Sequence, residues 1–184
     1  MKKMTTATTL VCAVLMLSIP AAADGPGGSF TATAVMKDSM GTRSMPVTLV
    51  ANRFTSVEQA QGLAKVLEQG GQGAVLAALT GRSDGQFMMG ALQMPVALVV
   101  AEEQPSGYRY IFLTARRIQV EETTFGEDSL DYPFGIAVFE VNDFGDGEGK
   151  IHVAAALSID ADGHIEIDDY DGEDGRLEGI SLAN

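Results

Sequence analysis

From Gln86 onward, apolar and polar residues alternate in short runs broken by glycine, proline and aspartate, a period of two that a helix cannot satisfy. Tyr108, Tyr110 and Phe112 fall on one side of such a run and Arg109, Ile111 and Leu113 on the other. Pro95 to Ala101 is nearly all apolar, as in a strand buried on both faces, and Gln104-Pro105-Ser106-Gly107 joins the two runs with turn chemistry. Further strands are expected over Arg117 to Glu122, Phe134 to Val141, Lys150 to Ile159, His164 to Asp168 and Leu177 to Leu182. Connections as short as Asp143 to Gly149 and Ala161 to Gly163 suit antiparallel hairpins and are too short for parallel crossovers.

Upstream, Phe30 to Met36 and Met45 to Arg53 alternate in the same way around a turn at Ser39 to Thr42. Between these and Gln86 the period changes. Thr55-Ser56-Val57-Glu58 has the pattern of a capping box, and Val57, Ala60, Leu63, Ala64 and Leu67 follow at helical spacing until Gly70-Gly71. A second short helix fits Gln72 to Thr80, with Val75, Leu76 and Leu79 inward and Gly81 as its stop. The expected fold is therefore α+β and mostly β. It is an antiparallel meander of about eight or nine strands, curled or barrel-like, with a helical hairpin inserted near residues 55–80.

The N-terminus reads as an export signal. Lys2 and Lys3, an apolar core from Leu10 to Ile19 and Ala21-Ala22-Ala23 imply cleavage before Asp24 and an exported chain, periplasmic or secreted. The core holds about ten residues, half of what a spanning helix needs, so no stable membrane insertion is expected after cleavage. Residues 24–29 (DGPGGS) form a flexible lead, and residues 30–184 form one domain. Cys12, the single cysteine, lies in the signal. The mature chain then has no disulfide, thiol nucleophile or thiolate metal site.

Removing Lys2 and Lys3 takes the formal charge from -13 to -15, with 10 basic against 25 acidic residues. Such an anion is repelled by phosphate backbones and anionic lipid, which argues against nucleic acid as a partner. From Glu140 to Glu178 there are 13 carboxylates against Lys150 and Arg176, a distribution that suits a solvated face.

The sharpest local pattern runs from Ser158 to Asp169. Asp160, Asp162 and Glu166 hold oxygen positions of a calcium loop around Gly163, but Ser158 stands where the first aspartate belongs and Asp169 where a bidentate glutamate does. The same residues read as a β-hairpin with an Asp-Gly turn, which is the expectation here. Asp160, Asp162 and Asp169 remain the candidate metal ligands, calcium the one cofactor to consider, and none is expected. His152 and His164 find no third zinc ligand and are expected on the surface or hydrogen-bonded. No Gly-x-Ser-x-Gly elbow occurs, and Glu102-Glu103, Glu121-Glu122 and Asp168-Asp169 point to opposite strand faces, so no catalytic set is legible. Arg116 and Arg117, near Arg109, are candidate anion-binding groups or partners of local carboxylates. Tyr110 and Tyr132 complete the candidate ligand residues.

Several ordered segments carry a resemblance: Asn52-Arg53-Phe54-Thr55-Ser56, the stretch from Leu67 to Gly81 (LEQGGQGAVLAALTG), Arg117-Ile118, Tyr132-Pro133-Phe134, and Gly147-Glu148-Gly149-Lys150 leading into Ile165 to Tyr170. Over most of residues 30–182 the chain resembles a family of small exported bacterial proteins of unknown function. The resemblance implies export and a single domain, transfers no active site, and draws attention to Arg117 and Tyr132-Pro133-Phe134. The expected function is noncatalytic binding of a small ligand or an envelope partner through one opening of the β-structure. For a small ligand, the expected pocket is lined by Phe87, Met88, Met89 or Tyr110. An exported hydrolase using carboxylates or a divalent cation, and a structural envelope component, are the alternatives.

Overall fold

The computed structural model describes residues 28–38, 41–118, 131–160, 165–170 and 174–183. The expected signal, residues 24–27 of the lead, Ser39 of the first turn, the strand beyond Ile118, and Asp162 and His164 all lie outside these residues. Ser29, expected in the lead, already opens the first strand.

Along the chain the elements are β1 (Ser29–Asp38), β2 (Gly41–Ala51), α1 (Val57–Leu79), β3 (Gly85–Met89), β4 (Leu92–Val96), β5 (Leu98–Gln104), β6 (Gly107–Thr114), β7 (Phe134–Asn142), β8 (Asp146–Ile159), β9 (Ile165–Asp169) and β10 (Asp174–Ala183). Every pairing is antiparallel. The spatial order is β4-β3-β2-β1-β10-β8-β7-β6-β5, with β9 added to β8. The fold is α+β, mostly β, and nearly closed into a barrel, as its alternation implies. It departs from a plain meander in one respect. β10 inserts between β1 and β8 and so unites the two runs of hairpins.

Several expected boundaries shift: β2 already begins at Gly41, inside the expected turn, β10 begins at Asp174, and Arg117 and Ile118 of the expected strand lie outside any strand. Pro95 to Ala101 is not one strand but the seam of the barrel, where β4 gives way to β5 at Ala97, whose amide donates to Leu113 O at 2.8 Å. Pro95, which lacks an amide hydrogen, sits on β4, at the end of the strand order. The Asp143 to Gly149 connection is also shorter than expected, because β8 begins at Asp146. A Cβ at Gly147 would overlap the Glu140 carbonyl, and one at Gly149 would overlap Phe139. These glycines permit close strand approach rather than marking a loop.

Strand alternation produces two cores on opposite faces of β5 to β8. Inside the barrel, Phe30, Tyr110, Phe112 and Phe139 are buried in one aromatic cluster, with Phe30 tilted against Tyr110 at 4.7 Å between centroids and Tyr110 stacked on Phe139 at 5.4 Å. Each buried aromatic contributes roughly 1.5 to 3 kcal/mol relative to exposure. Outside, Leu98, Leu113, Phe134, Ile136 and Ala155 pack beneath Leu67, Val75 and Leu79 of α1.

Helix α1 is the inserted hairpin. Its helical geometry breaks at Gly71 (φ 64°, ψ −163°), a conformation glycine adopts without strain. A straight helix of 23 residues would extend about 35 Å. Yet Asn52 and Arg53, just before it, both donate backbone hydrogen bonds to Asp84 O, just after it, at 3.0 and 2.9 Å. Midway, Gln72 donates through Nε2 to Leu157 O and accepts from Leu157 N at 3.1 Å. The chain therefore runs out to β8 and returns.

Candidate functional site

The helical hairpin does not close fully on the sheet. Between them lies a half-open cavity of about 70 Å³, lined by Ala60, Leu63, Leu67 and Val75 above and by apolar residues of β5 to β9 below, among them Val100, Ile111, Leu157 and Ile167. Every lining residue is apolar. The floor follows from the alternation already legible at Arg109, Ile111 and Leu113, which face outward while Tyr110 and Phe112 face in.

Polar residues border this floor. On β5 and β6, Val100 pairs with Ile111, and the next pair on the same face is Glu102 with Arg109. Arg109 pairs in turn with Glu140 on β7. Glu102 is only 7% exposed, and its Oε1, like Nε of Arg109, has no hydrogen-bond partner among the described residues. Burial raises the Glu102 carboxyl above the usual carboxylate range. Arg109 opposes that shift, and Glu140 adds to it. A second border lies on β8 and β9, where buried His152 meets Asp169 through Nδ1 and Oδ1.

The candidate ligand residues do not form one site. Tyr110 is fully buried in the barrel, where burial, helped by Tyr108, pushes its hydroxyl up to about 12. Phe87 and Met89 are buried in that same core, so the cavity lies on the opposite face from the expected pocket. Arg116 is exposed and reaches Gln93 O at 3.5 Å. Arg117 turns elsewhere, donating from Nε to Tyr132 O at 2.7 Å with its guanidinium 6.0 Å from the Tyr170 ring. Tyr132 and Tyr170 meet edge to face at 5.3 Å. The distant segments at Arg117, Tyr132 and Tyr170 thus converge as a structural knot beside Asp169.

Of the candidate metal ligands, Asp169 is engaged by His152, Asp160 follows the end of β8, and Asp162 lies outside the described residues. Among the described residues no three His, Asp, Glu or Cys side chains gather as a metal site. No described helix is long and apolar enough to cross a membrane.

Sequence reasoning missed Asp84. It is wholly buried, and its carboxylate accepts from Arg53 Nε at 3.0 Å, from Arg82 at 2.8 Å and from Thr55 Oγ1 at 3.3 Å. Thr55 N also donates to Val99 O at 2.7 Å, which ties the start of the hairpin to β5 beside the seam. The Asn52 to Ser56 segment was visible in the sequence, but its partner is far along the chain. The chain matches no known family model, curated protein or solved structure.

Proposed function

We propose that this is an exported, noncatalytic protein that binds a small apolar ligand between its helical hairpin and the outer face of β5 to β9. The half-open, wholly apolar cavity supports this reading. Packed interiors leave few voids, and an apolar space stays dry and gains from any apolar guest that fills it. Inside the barrel, by contrast, the aromatic rings of Phe30, Tyr110, Phe112 and Phe139 pack against one another.

The test is titration with N-phenyl-1-naphthylamine, whose fluorescence rises in apolar surroundings, on the wild type and on Ala60→Phe. The substituted ring fills the space under the hairpin. The wild type should enhance the fluorescence saturably, and Ala60→Phe should weaken binding at least tenfold while keeping a cooperative thermal transition. No saturable binding, or equal binding by the folded variant, overturns the reading.

A further inference from the structure

Strands of this sheet that lack a neighbour over part of their length carry stops against further pairing. β4 holds Pro95, β5 gives Val99 O to Thr55 N, and β8 gives both peptide groups of Leu157 to Gln72. β9 differs: among the described residues it pairs with β8 and with no other strand. The register shows which groups its outer edge offers. Gln72 holds the N–H and C=O of Leu157 on the side away from β9, and Tyr170 N donates to Ala154 O at 3.0 Å, so Leu157 with Ile167 and Ala155 with Asp169 are the non-hydrogen-bonded pairs of the ladder. The peptide groups of Ile165 and Ile167 therefore point away from β8. Asp169 is tied to His152 of β8 by its side chain, which holds the edge extended before any partner arrives.

Alternation separates two faces of this edge. Ile165 and Ile167 line the cavity, and Glu166 and Asp168 point the other way. Across the ladder these carboxylates lie opposite Ser158 and Ala156, so β8 opposes neither with a cation. A second copy of β9 added antiparallel about Ile167 would set Glu166 against Asp168, like charge against like. We propose that β9 is a docking edge for an extended segment of another protein, added antiparallel, in which apolar residues alternate with Lys or Arg. Its apolar residues pair with Ile165 and Ile167 and its bases with Glu166 and Asp168. This goes beyond the cavity reading and does not depend on it.

The probe is a fluorescein-labelled peptide of order Val-Lys-Val-Lys-Val, titrated with the protein and read by anisotropy. Saturable binding is expected, with Val-Glu-Val-Glu-Val and the reordered Lys-Lys-Val-Val-Val at least about tenfold weaker. N-methylation of the central valine, whose amide meets Ile167 O, should weaken binding at least about tenfold, whereas N-methylation of a lysine, whose amide points away, should change it less than about twofold. Glu166→Lys combined with Asp168→Lys leaves the apolar face untouched and should reverse the order of the Lys and Glu peptides, with thermal unfolding as the check that it folds. Absence of saturable binding, equal binding by the reordered or valine-methylated peptide, equal loss on methylating lysine, or an unchanged order in the double variant overturns the proposal. A wild-type dimer in sedimentation that Glu166→Lys with Asp168→Lys disperses would make a second copy the occupant and overturn it as well.

Discussion

Glu102 and Asp84 are both carboxylates taken out of water, and they differ in what meets them. Asp84 has two guanidinium groups and a hydroxyl. Glu102 has an oxygen with no partner among the described residues. Removing the charge of Glu102 should therefore help the fold. Glu102→Gln is expected to stabilise the protein by about 1 kcal/mol at neutral pH. Burial raises the folded-state affinity of Glu102 for a proton, so between its ordinary and its raised value the folded chain binds more protons than the unfolded one. The contribution of Glu102 to stability is thus full below the ordinary glutamate value and is lost as pH rises through the raised value, whereas the Gln variant lacks this loss. Urea unfolding across a pH series checks it, and a gap between the two proteins that fails to widen with pH would sink the argument.

At the scale of elements, Gln72 holds the far end of the hairpin to β8 by two hydrogen bonds to one residue, in the manner of a neighbouring strand. Gln72→Leu should cost about 1 to 3 kcal/mol by leaving the Leu157 peptide groups unmet, and should speed hydrogen exchange at the Leu157 amide. Unchanged exchange there would show that the hairpin is held by its apolar face alone. Much of this level was legible. The break at Gly71, the inward Val75 and Leu79, and the two faces of Tyr108 to Leu113 all follow from periodicity and glycine. The helix cap was legible only to within one residue. Ser56, not Thr55, caps it, in a reciprocal pair with Gln59, because the Thr55 hydroxyl is spent on Asp84. Nor could the sequence show Gly147 and Gly149 as strand residues, since only the partner strand reveals that a side chain would not fit. The cavity was hidden for a related reason. The apolar residues that line it carry the same signal as those that fill the barrel.

For the molecule as a whole, the decisive pairing is β1 with β10, where Phe30 lies opposite Leu182 at nearly the full length of the domain. No local pattern announces such a contact, and its loop-closure cost makes it a late event. Removing residues 174–184 should leave the long edges of β1 and β8 open and yield an aggregating chain with no cooperative thermal transition. Size-exclusion chromatography and calorimetry decide this, and a soluble monomer that still unfolds cooperatively would refute it.

The helical hairpin leaves the barrel after Arg53 and rejoins it at Asp84, and these two residues are joined by hydrogen bonds at that single point. It packs on the outer face of strands whose inner face carries a separate core. The hairpin is thus built like a cassette: substitutions at Ala60, Leu63, Leu67 or Val75 reshape the space beneath it while the inner core of the barrel keeps its own packing.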